Sequence, residues 1–246
     1  MKKSVLSLFC CIMLITLNAQ DSTKIVYPVN PKKKPVIDLS GRANDHLMFQ
    51  FGWAGWAGKP DSINTKGFPK SVNLYFMFDF PVKTNQKISI GIGAGFGSDH
   101  IYFDKMYLGI KDLTTTLTID DRSDTAYFDK YKLAVSYLEA PLELRYTKNP
   151  MQSNRSFKAA IGMKVGTVTN AHTRGKDYVG AAGGTNEYIQ KELSKRFINK
   201  TRFVATARVG YGIFSLFGSY QISQLFKDGL APKVNPWAVG LQISGL

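Results

Sequence analysis

The stretch Ser-Val-Asn-Leu-Tyr-Phe-Met-Phe-Asp-Phe, residues 71–80, decides the fold. In an extended strand, side chains alternate between two faces with period two. Val72, Leu74, Phe76, Phe78 and Phe80 therefore lie on one side, and Ser71, Asn73, Tyr75, Met77 and Asp79 on the other. A soluble sheet with one face on a core alternates in the same way. Here the pattern recurs along the chain in segments of about ten residues, and the side opposite the apolar one carries glycine, serine, amides and charges. That combination predicts a transmembrane barrel, apolar where it meets lipid and polar inside.

Working outward, the same alternation marks strands at 47–56, 71–80, 87–97, 131–147, 157–167, 202–210, 213–223 and from 237 to the end. Apolar parity slips between Val135 and Leu138, which reads as a bulge in the fourth strand. The intervening segments alternate in length: 57–70, 98–130, 168–201 and 224–236 are long, whereas 83–86, 148–156 and 211–212 are short. The predicted fold is all-β, an eight-stranded antiparallel transmembrane β-barrel with short periplasmic turns and long extracellular loops. An even count returns both ends of the barrel to the periplasm.

The N-terminus supplies the route. Lys2 and Lys3 precede an apolar run from Val5 to Leu17, and Ala19 offers a small residue before Gln20, so residues 1–19 read as a cleaved secretory signal peptide. The run is shorter than the roughly 20 residues a spanning helix needs. Both cysteines, Cys10 and Cys11, leave with it, so no disulfide framework is expected. Residues 20–44 carry Pro28, Pro31, Pro35 and the run Lys32-Lys33-Lys34, an extended basic periplasmic arm, and residues 45–246 form the barrel.

The segment Tyr-Leu-Glu-Ala-Pro-Leu-Glu-Leu-Arg-Tyr, residues 137–146, resembles a strand of the small outer-membrane β-barrel proteins of the Bacteroidota, a group that includes PorT-like barrels. The turn Ala207-Arg208-Val209-Gly210-Tyr211-Gly212 and the closing Trp237-Ala238-Val239-Gly240-Leu241 are similar to the same group, over roughly residues 45–246. Leu246 departs from the aromatic residue with which such barrels commonly end. The resemblance implies an outer-membrane address and the barrel fold, and little about activity.

Inside an eight-stranded barrel the space is just wide enough for side chains to fill. The inward positions collect Asp79, Glu139, Glu143, Arg145, Lys158, Lys164, Arg202 and Arg208, which are expected to pair across the lumen as a charge network rather than line a pore. The net charge is +14, or +12 without Lys2 and Lys3. Secretion and a lipid-facing exterior argue against nucleic acid as a partner; outer-membrane lipids and lipopolysaccharide suit the basic loops, and a periplasmic or envelope protein suits the arm. The alternating glycines 91, 93, 95 and 97 read as a smooth inner wall rather than a dinucleotide fingerprint, since no helix follows. Asp120, Asp121, Asp124 and Asp129 lack the spacing of a calcium loop, and no metal or cofactor is expected.

The chain is thus expected to be a non-catalytic barrel acting in envelope structure or in loop-mediated binding. Two alternatives stay open, a lipid A-modifying enzyme and a component of a secretion apparatus. The enzyme would need a rim histidine beside a serine and a carboxylate, and His46, His100 and His172 are the histidines on offer, with Ser98 and Asp99 next to His100.

Overall fold

The computed structural model describes residues 46–245. The expected signal peptide, residues 1–19, and the expected arm, residues 20–44, lie outside the described residues. The strands are β1 Leu47–Ala57, β2 Lys70–Val82, β3 Asn85–Phe103, β4 Met106–Leu108, β5 Ile119–Asp121, β6 Tyr127–Thr147, β7 Phe157–Val179, β8 Thr185–Leu193, β9 Thr201–Tyr211, β10 Phe214–Gln221 and β11 Asn235–Ser244. Eight of them close a ring in the order β1-β2-β3-β6-β7-β9-β10-β11, every neighbour antiparallel. In lipid a closed ring leaves no unpaired strand edge, which an open sheet cannot avoid. β8 adds to the outer part of β7, and β4 pairs with β5.

The faces are those the alternation predicts. Ile161 is 64% exposed and Leu241 60%, and Phe76, Phe78, Phe80 and Leu142 lie on the same outer surface. Glu139, by contrast, is 2% exposed. Large apolar side chains outside and charges inside make a surface suited to hydrocarbon. On the periplasmic side the connections are short, one of them a turn in which Gly212 takes φ +64°, a left-handed conformation that a glycine adopts without strain.

Three expectations are corrected. β3 continues to Phe103, β6 starts at Tyr127 and β7 runs to Val179, so much of the two long segments expected as loops is strand. The bulge is not on β6. Tyr131, Leu133, Val135, Tyr137 and Glu139 all point inward with unbroken parity, and the extra residue sits on the partner, where Ser136 pairs Asn170 but Tyr137 pairs Val168, leaving Thr169 over.

What changes along β6 is therefore the chemistry of its inner face and not its parity. Within the membrane that face is charged; further out it is apolar, as in a soluble protein. Ile101, Phe103, Leu133, Val135 and Tyr137 join Phe197, Ile198, Phe226 and Leu225 from the connecting segments in one buried cluster. β4 contributes Met106 and Leu108 to it. The outer segments are thus folded over the barrel mouth as an apolar cap.

Candidate functional site

β2, β6, β7 and β9 carry the eight expected lumen charges, and all eight side chains are buried. Seven of them, with Asp99, form two layers. In the outer layer Arg202 Nε donates to Glu139 Oε1 at 2.5 Å and Arg202 Nη1 to Asp99 Oδ2 at 2.7 Å. Lys164 Nζ stands 3.6 Å from Glu139 Oε2 and donates to the Tyr75 hydroxyl at 2.9 Å, while that hydroxyl donates to Glu139. The Arg202 guanidinium lies 3.7 Å from the centre of the Tyr137 ring, a cation–π contact in a dry site. In the inner layer Glu143 Oε2 accepts from Arg145 Nε at 2.9 Å and from Arg208 Nη2 at 3.2 Å, and Arg145 Nη1 lies 3.6 Å from Asp79. Lys158 is buried nearer the periplasm, across from Thr147 and Gly210.

Each layer balances: two acids face two cations in both. Balance of this kind is what makes burial tolerable, because an uncompensated charge in a low-dielectric interior carries a penalty of several kcal/mol, or roughly that order. Beside the charges, Gln50, Gln242 and Asn73 make a neutral amide chain, with Gln50 donating to Gln242 at 2.8 Å and Asn73 to Gln50 at 3.2 Å.

The alternating glycines of β3 form a trench rather than a smooth wall. A Cβ at Gly91 would stand 2.5 Å from Arg145 Nε, and one at Gly97 2.9 Å from Glu139 Oε2. The missing side chains are the room that the charge layers occupy. The voids beside Asp99, one against Arg202 and one under Tyr137 and Leu225, hold about 10 Å³ each. That is about one water-sized sphere.

On the outer face Ser98 Oγ lies 3.1 Å from His100 Nε2, and Lys132 Nζ lies 3.2 Å from His100 Nδ1. An ammonium can only donate, so Nδ1 accepts and Nε2 carries the proton toward Ser98. A serine-activating histidine has the opposite arrangement, with a carboxylate at Nδ1 and a free Nε2. Asp99, the adjacent acid, points inward to Arg202. Burial pushes His100 down to about 4, with Lys132 and Lys70 adding to the effect. His172 is lowered too, by burial and then by Lys191. His46 Nδ1 stands 3.0 Å from the Met77 carbonyl at the periplasmic end. Three of the acids at 120–129 have partners: Asp120 meets Arg122 at 3.4 Å, Asp121 accepts from the Ser123 backbone at 2.8 Å, and Asp129 meets Lys66 at 3.6 Å.

Sequence reasoning missed Asp99, Tyr75 and Tyr137 as members of the network. Extending β3 by its own parity past Gly97 would have turned Asp99 inward. Tyr75 was already on the inner face of residues 71–80, and its hydroxyl marks a polar role there.

No curated protein sequence matches this chain. Among solved structures, the attachment invasion locus protein Ail of Yersinia pestis, in complex with the heparin analogue sucrose octasulfate, is similar at 14% identity over 80% of this chain and 97% of that one, with a TM-score of 0.32. The profile of the outer membrane protein beta-barrel domain matches residues 43–230, most of the length of the ring. The chain therefore belongs to the outer membrane protein beta-barrel domain family, a barrel of the bacterial outer membrane.

Proposed function

We propose that this barrel is a non-conducting, non-catalytic scaffold that works by binding at its outer end. The observation that carries the reading is the filled interior: two balanced charge layers under an apolar cap, with residual voids of about 10 Å³ beside Asp99. A route for solutes would have to break ion pairs and open a hydrophobic cluster at once. What the fold projects beyond the membrane instead is the outer continuation of β3, β6 and β7 with β8. Functional surfaces commonly sit on such projections from a rigid scaffold. The resemblance of residues 137–146 to the Bacteroidota barrels suits an envelope role of this kind.

The lipid A-modifying alternative is disfavoured by the proton placement at His100. In planar bilayers the purified protein should give no stable conductance steps; sustained porin-like openings would overturn the scaffold reading. Lipid A from wild-type and deletion strains should have the same mass profile. A mass change that returns with the wild-type gene and not with His100→Ala would put the enzyme in its place.

A further inference from the structure

The outer face just above the lipid-facing band carries a ladder of cations. Lys132 on β6 is directly opposite Arg174 on β7, and Arg174 is directly opposite Lys191 on β8. One step nearer the membrane, Lys70 on β2 is opposite His100 on β3, and Ala134 of β6 connects His100 to His172 on β7. Directly opposed residues of antiparallel strands sit about 5 Å apart, and like charges there are destabilising. Three cations in one such row span about 10 Å across the strands.

Acids are absent where they would be needed to relieve the row. Among the described residues, Lys70, Lys132, Arg174 and Lys191 have no carboxylate within ion-pairing distance. One step further out the arrangement is different: Lys130 and Lys176 share Asp177, each at 3.7 Å. The neighbouring acids are engaged elsewhere: Asp99, beside His100, turns inward to Arg202, Asp129 meets Lys66, Asp177 serves Lys130 and Lys176, and Glu192 lies on the side of the sheet where Tyr107 and Tyr131 lie. Lys132 is held below its usual range by burial and by Lys70, Arg174 and Lys191, the signature of a cation among cations.

The height of the ladder indicates what neutralises it. Phe96 and Leu138, both exposed on the lipid side, precede His100 and follow Lys132 by four and six residues. The row therefore stands where hydrocarbon gives way to headgroups. We propose that Lys132, Arg174 and Lys191, with Lys70 beside them, bind the phosphate groups of a phosphorylated glycolipid of the outer leaflet. Arg174 offers the planar fork that takes two phosphate oxygens, and the lysines act as point charges on its flanks. His100, neutral, accepts from Lys132 and holds it in the row. This rests on the scaffold reading and gives its outer surface a ligand.

The test uses the full chain in neutral detergent micelles, titrated with bisphosphorylated lipid A, dephosphorylated lipid A and heparin. The triple variant Lys132→Gln, Arg174→Gln, Lys191→Gln should bind bisphosphorylated lipid A on the order of 100-fold more weakly than wild type. A control with the same charge loss on exposed periplasmic-side residues, Lys83→Gln, Lys87→Gln, Lys148→Gln, should bind as wild type does. Wild type should discriminate against dephosphorylated lipid A by a similar factor. Without lipid, the ladder variant should unfold at the same or higher denaturant concentration, because repulsion has been removed. A less stable variant would make the cations structural and overturn the proposal. Equal loss in the control, or tighter binding of heparin than of lipid A, would overturn it as well, the latter in favour of a sulfated polysaccharide. Silent bilayers with no lipid A binding would leave the scaffold and remove this ligand; conducting bilayers would remove the scaffold itself.

Discussion

Glu139 is the residue on which the outer charge layer turns, and Glu139→Gln isolates its charge while keeping its shape. The carboxylate side chain is fully buried and serves Arg202, Tyr75 and Lys164 together. After the substitution Arg202 keeps Asp99 at 2.7 Å and its stacking on Tyr137. Lys164 keeps its hydrogen bond to the Tyr75 hydroxyl, at 2.9 Å, but no carboxylate in contact. The attraction it loses, at 3.6 Å and an effective dielectric of about 20, is about 4.6 kcal/mol. Arg202 loses the charge at 2.5 Å as well, and the net cost of breaking one side of a buried pair, about 3–5 kcal/mol, is the loss expected. Adding Lys164→Met restores balance, leaving Asp99 to face Arg202 alone. The double variant should recover about 2–3 kcal/mol relative to the sum of the two single losses. The assay is urea unfolding in lipid vesicles, followed by tryptophan fluorescence and by the gel shift between folded and heat-denatured barrel. A Glu139→Gln loss below about 0.5 kcal/mol, or strictly additive singles, would refute a dry and tightly balanced layer.

Gly95→Ala should cost about 1–3 kcal/mol in the same assay, because its Cβ would stand 2.1 Å from the Leu74 carbonyl oxygen; Gly218→Ala, with nothing within 4 Å, should be close to neutral. Phe226→Ala, in the cap and 1% exposed, should cost about 3–5 kcal/mol and render the outer segments sensitive to protease on whole cells while the membrane-embedded strands stay protected. The His100 ring, lowered to about 4 by burial and then by Lys132 and Lys70, should show no titration in its NMR shifts between pH 8 and 5. The unfolded ring takes its proton near about 6.5, so the stability this neutral histidine contributes is complete above that pH and declines as pH falls toward 4. A His100 titrating near 6.5 in the folded protein would contradict its burial beside Lys132.

The membrane part of the barrel was legible because lipid makes the rule unusually strict: apolar out, polar in, at every second residue. Phe76, Ile92, Leu142 and Val165 obey it, and so do all eight lumen charges. Above the membrane the rule reverses, since water is now outside and a core inside. Leu133 and Val135 are apolar because they face inward, yet the lipid rule assigns them outward; the mismatch with Leu138 then looks like a bulge. The same reversal ended β3 too early, at Gly97, and hid Asp99 in a supposed loop. The bulge at Thr169 has no signal in the sequence, because residues 168–170 read as the start of the long segment 168–201. The pairing of β8 with β7 was hidden too, since 185–193 lacks clean alternation and most of its residues are exposed.

The abrupt end of the apolar band below His100 and Lys132 also fixes how thick a membrane this barrel can occupy. On β3 the band runs from Ile88 to Phe96, a rise of about 27 Å along the strand and about 20 Å along the bilayer normal at a tilt of about 40°. A thicker bilayer cannot be met by sinking deeper, because that would carry the cation row into hydrocarbon. It cannot be met by rising either, because Phe80, Tyr146 and Phe214 would leave the lipid on the other side. The lipid has to thin around the protein instead, at a cost that grows with each ångström of mismatch. The barrel is therefore matched to a thin membrane, and mixtures of short- and long-chain lipids should leave it surrounded by the short ones.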